Sequence, residues 1–120
     1  VQMLTQEKEA VVRSAAALAL GFVGGEKSGE ALIKTLQTDL PMVAMEAAAS
    51  LGRLGDPKAL ESLGEALKSP DSNVRANACT ALGTLGGEKA FSLLKLASED
   101  QDPFVRGAAE EALGRIRKPG

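Results

Sequence analysis

A chain of 120 residues with no histidine and a single cysteine, Cys79, lacks Ser-His and Cys-His nucleophile pairs, histidine metal sites, any internal disulfide and any cysteine metal cluster. Hydrophobic residues make up 44% and aromatic residues only 2%, a helix-forming composition built on Ala, Leu, Glu and Lys. Fourteen Lys and Arg against 16 Asp and Glu leave a formal net charge of −2, which offers no field to a phosphate backbone or an anionic bilayer, so neither nucleic acid nor membrane is an expected partner.

No apolar run approaches the roughly 18 residues that a bilayer crossing needs, and the N-terminus lacks the basic-then-apolar layout of a signal peptide. The lone cysteine suits a reducing compartment, and the expected location is cytoplasmic. The chain opens on Val1 rather than Met and is expected to be a piece of something longer.

One pattern recurs at a constant offset of 31 residues: Val12, Val43, Val74 and Val105; Leu20, Leu51, Leu82 and Leu113; Gly21, Gly52, Gly83 and Gly114. A register without insertions means that each unit docks on the next in the same way, the signature of a solenoid. The units are expected at about 9–38, 39–69, 70–100 and 101–120, the last partial, forming one array over 1–120 in which 1–8 are the remnant of a preceding unit's second helix.

The first helix of each unit, helix A, begins at Val12 and stops at Gly24, since glycine adopts the left-handed conformation of a helix end. Gly24-Gly25-Glu26-Lys27 then turns into a second helix, helix B. The second unit opens on Leu40-Pro41-Met42-Val43-Ala44-Met45, an apolar loop, and its helix A ends at Gly55. Leu40, Met42 and Met45 are candidate partner contacts, or fill a local packing gap. Asp56-Pro57 supplies an N-cap and a first helical residue for helix B, whose buried stripe is Ala59, Leu60, Leu63, Ala66 and Leu67.

Ser69-Pro70-Asp71-Ser72 leads into the third helix A, where Val74, Ala78, Ala81, Leu82 and Leu85 form one apolar stripe ending at Gly86-Gly87. Cys79 aligns with Ala17 and Ala48 and is expected to be a small packing residue rather than a reactive thiol. Asp100-Gln101-Asp102-Pro103 starts the last helix A, which runs to Arg117. The inner glycines at 21, 52, 83 and 114 each cost roughly 1 kcal/mol against alanine, which points to close approach of neighbouring helices or to early fraying.

Asp102-Pro103-Phe104-Val105-Arg106-Gly107-Ala108-Ala109, continuing to Ala112-Leu113-Gly114, resembles the short HEAT-like repeats named after the phycobilin lyases. Leu51-Gly52-Arg53-Leu54-Gly55-Asp56-Pro57-Lys58 matches the junction between their two helices. The resemblance implies an all-α, right-handed α-α superhelix of about four helical-hairpin units. It also implies an Arg, at 13, 75 and 106, that pairs with a loop acid and ties units together; Ala44 breaks this in the second unit. HEAT-like arrays that bind iron for hydroxylation rely on His-Glu pairs, which this chain does not have.

The helix-B faces are expected to line the concave side and to take a protein or peptide through Lys27, Lys34, Lys58, Ser62, Glu65, Lys89, Leu93 and Leu96. Leu93 and Leu96 either form an apolar contact patch or pack against a further repeat. The expected function is a non-enzymatic interaction scaffold with no catalytic residues, cofactor or metal. A phycobilin lyase-like subunit handling a tetrapyrrole, and a regulatory module of a larger protein, are the alternatives. Both ends are expected to expose apolar seams that favour end-to-end self-association.

Overall fold

The computed structural model describes residues 2–38 and 40–117, all of whose regular structure is helical. In chain order the helices are α1 (Gln2–Val23), α2 (Glu26–Thr38), α3 (Pro41–Leu54), α4 (Ala59–Ala66), α5 (Ser72–Leu85), α6 (Gly87–Ala97) and α7 (Pro103–Arg117). Successive odd helices pack side by side, each even helix packs on the odd helix that follows it, and α7 lies against α5 and α6, which makes the fold an all-α solenoid. Odd-numbered helices are the predicted A helices and even-numbered ones the B helices.

Local chemistry sets each boundary. Gly24, Gly55 and Gly86 end the A helices with φ of 77°, 67° and 69°, values that a residue with a Cβ rarely adopts. The Asp71 carboxylate accepts the Asn73 and Val74 backbone N–H groups at 2.9 and 3.1 Å to start α5, and Asp102 accepts from Phe104 at 2.8 Å to start α7. Helix α3 has no such side-chain cap, because Leu40 holds the position of Asp71; Pro41 starts it instead.

Two boundaries depart from the sequence expectation. Residues 2–8 are not a separate B-helix remnant but run without a break into α1, since no glycine or proline occurs between Gln2 and Leu20 to stop the helix. Helix α4 begins at Ala59 rather than at Pro57: the Asp56 carboxylate accepts the Lys58 N–H at 3.0 Å, and the chain makes a turn over 57–58 before the helix proper.

The core is a continuous layer between the odd and even helices, containing Leu32, Leu51, Leu63, Leu82 and Leu94, each fully buried. Between odd helices the packing is closer still. A Cβ added to Gly52 would lie 2.9 Å from Ala81 Cα, one on Gly83 2.7 Å from Ala112 Cβ, and one on Gly21 2.6 Å from Ser50 Cβ. Each glycine therefore receives the helix 29 residues further on at backbone contact, which is the steric reason for its presence. Ser50 reinforces the first seam by donating its hydroxyl to the Ala17 carbonyl at 2.8 Å.

Candidate partner-binding surfaces

The two layers are spaced differently. Odd helices meet through glycine, alanine and serine, whereas Leu93 inserts between α4 and α6 against Gly64, and a cleft of about 540 Å³ lies between α2, α4 and the loop before α5. The odd helices therefore approach one another more closely than the even helices do.

On the even helices, Lys27, Lys34, Lys58, Glu65, Lys89 and Leu96 are exposed, and Leu96 is 73% accessible. Lys58 pairs with Glu26 at 3.0 Å, which holds its ammonium pKa above the ordinary lysine value. Two of the predicted contacts are not on that surface. Ser62 is buried and accepts a 3.3 Å hydrogen bond from the Gln37 side chain, because the α4 turn rotates it toward α2. Leu93 is half-buried, filling the space above Gly64.

Apart from Met42, sequence reasoning passed over the outer face of the odd helices. Val11, Met42, Asn73 and Phe104 occupy one column at the repeat offset, and Val11, Met42 and Phe104 are 54%, 45% and 59% exposed. Near the C-terminal end of α1, Phe22 is 72% exposed, and the Arg53 guanidinium sits 4.8 Å from its ring centre in a cation–π contact. Met45 is half-buried against the core, and a shallow groove of about 200 Å³ between α3 and α5 is lined by Arg53, Asn77, Thr80 and Thr84. Variation within this column, set in an otherwise constant helix pattern, was the available signal.

The loop edge carries the strongest electrostatics. Arg75 Nε and Nη2 donate to the Asp100 carboxylate at 3.0 and 3.2 Å, and its Nη1 donates to the Ser69 carbonyl at 2.8 Å. Arg106 repeats the motion on the Asp100 and Gln101 carbonyls at 2.8 and 3.0 Å. Desolvation pushes the Asp100 pKa upward, but the Asp102 backbone N–H and the two arginines outweigh it, and the carboxyl is held below its ordinary value. Cys79 is fully buried, and desolvation, reinforced by Asp100, pushes its pKa up to about 12, so it is a protonated thiol.

Among the described residues no helix is long and apolar enough to cross a membrane, and no cluster of three His, Cys, Asp or Glu side chains is placed to hold a metal.

The family model for HEAT repeats matches residues 29–114, and the model for the PBS lyase HEAT-like repeat matches residues 12–38. Human deoxyhypusine hydroxylase, solved in complex with glycerol, is similar in structure with a TM-score of 0.77 at 28% identity, over 84% of this chain and 36% of the hydroxylase. The complex of CpcE and CpcF of phycocyanin lyase from Nostoc sp. PCC7120 is similar with a TM-score of 0.62 at 22% identity, over 91% of this chain and 60% of that one, a likeness of fold. No curated protein matches by sequence. With repeat register, glycine seams and family model in agreement over most of its length, the chain belongs to the HEAT-repeat family.

Proposed function

We propose that the chain is a non-enzymatic scaffold, working in the cytoplasm, that holds a protein or peptide along the outer face of its odd helices. The observation that carries this is the exposure of Val11, Met42 and Phe104 at equivalent positions of the odd helices, with Phe22 exposed further along α1. Exposed large apolar side chains recurring along one face are what a partner interface draws on. The even-helix face, through Lys27, Lys34, Lys58, Glu65, Lys89 and Leu96, is the second candidate, supported by the exposure of those residues.

Paired variants separate the faces. Met42→Glu with Phe104→Glu should release a bound protein partner in pull-downs while circular dichroism stays helical; Lys34→Glu with Leu96→Glu should leave it bound. The reverse outcome would move the site to the even helices, and retention by both pairs would refute the scaffold reading.

A lyase-like role in handling a tetrapyrrole draws support from the match at residues 12–38 and from the likeness to the CpcE and CpcF complex. Cys79 would not serve as the attachment point, being buried and protonated. An absorbance shift on adding bilin would favour this role. A regulatory module within a larger protein is compatible with the same surfaces, as the chain spans 36% and 60% of the two structures above. Copies are further proposed to associate end to end. Val12 is 67% exposed where Val43, Val74 and Val105 are buried, and nothing lies within 4 Å of a Cβ built on Gly114, the counterpart of the packed Gly21, Gly52 and Gly83.

A further inference from the structure

Two successive clefts open at the loop edge, one repeat apart. The later one, about 490 Å³, contains Arg75 and Asp100. Their ion pair is 3.0 Å long, with side chains only 17% and 16% exposed. The earlier one, about 540 Å³, has Ala44 at the position of Arg75 and Ser69 at that of Asp100. Both members of the pair are replaced together by small residues.

Two more exchanges deepen the earlier cleft and change its charge. Ser62 stands where the next repeat has Leu93, the residue that fills the gap between even helices. Glu65 stands where the next repeat has the exposed Leu96. The earlier cleft therefore reaches a buried aliphatic floor of Leu36, Ala66 and Val74, with a carboxylate at its rim. Lys68 also lies at the rim, 3.9 Å from Glu65 in a solvent-exposed pair that holds the carboxylate weakly.

We infer that the cleft between α2 and α4 binds an arginine side chain presented by a partner peptide. The neighbouring repeat lines the equivalent cleft with its own arginine, directed at Asp100 and the Ser69 carbonyl, so this edge of the stack accommodates an arginine side chain. The aliphatic stem lies along Leu36, Ala66 and Val74, and the guanidinium reaches Glu65, with Ser69 beside it. An arginine is favoured over a lysine because its flat head is weakly hydrated and loses less on entering a half-enclosed slot. This site is separate from the odd-helix face, and it stands or falls without the scaffold reading.

The test titrates the ¹⁵N-labelled chain with L-argininamide and, in parallel, with the neutral near-isostere L-citrullinamide and with norleucinamide. Saturable amide shifts centred on Ala44, Ser62 and Ser69 are expected with argininamide, with a dissociation constant on the order of millimolar, at least about tenfold tighter than with either control. Glu65→Gln should weaken binding. Ala44→Arg with Ser69→Asp, which rebuilds the neighbouring pair inside the cleft, should abolish it, as should Ser62→Leu; the same spectra report whether each variant is folded. Shifts scattered over the acidic surface, equal shifts with citrullinamide, or preferred binding of norleucinamide would each overturn the assignment.

Discussion

Cys79 shows how one side chain reports on the whole stack. Its thiol is fully buried beside the seam to α7, and burial raises its pKa from 9.0 to about 12. In the unfolded chain the thiol ionises near the lower value. The stability linked to the neutral thiol is therefore complete below about pH 9 and falls as pH rises toward about 12, at up to about 1.4 kcal/mol per pH unit. Urea midpoints of the native chain and of Cys79→Ala, measured at about pH 7 and about pH 10, should converge as pH rises. Parallel curves would mean that the thiol is not buried in solution. The sequence made the small-residue role legible through alignment with Ala17 and Ala48; the pKa depends on depth, which an alignment does not encode.

At the scale of helices, α1 and α7 present the two halves of a seam that the interior repeats close. Ala19 on α1 is the counterpart of Ser50, Ala81 and Ala112, the residues that meet the seam glycines, and it is exposed, while Gly114 on α7 has no neighbour. Glu110 opposes closure, for it occupies the position where Ala17, Ala48 and Cys79 are buried, and a carboxylate there would be desolvated. The end-to-end pairing proposed above is weakened accordingly. Sedimentation equilibrium should show Glu110→Ala associating at lower concentration than the native chain and Ala19→Glu remaining monomeric; a Glu110→Ala variant that is monomeric throughout would contradict the pairing.

Helix order, the glycine stops and the Asp71 and Asp102 caps were legible because each is a local choice of residue. The unbroken run of α1 was not, because the repeat offset led to the expectation of a boundary where no stop residue stands. Leu93 and Ser62 were misplaced for a related reason: their exposure depends on the gap between neighbouring even helices, which is set by the size of side chains on two different repeats.

At the scale of the molecule, the two helix layers are spaced unequally, and the odd side is the tighter one. Glycine seams on the odd side are the cause. The loop arginines are secondary, since the second repeat lacks its arginine yet stacks in the same register. The most direct measurement is the urea stability of two variants carrying the same change at equivalent repeat positions. Gly83→Ala forces a Cβ to within 2.7 Å of Ala112 Cβ and 2.9 Å of its Cα, and should destabilise the chain by about 1–3 kcal/mol. Gly114→Ala meets nothing within 4 Å and should stabilise it by up to about 1 kcal/mol through helix propensity alone. Opposite signs are the predicted result; equal effects at the two positions would contradict the tight odd-helix layer.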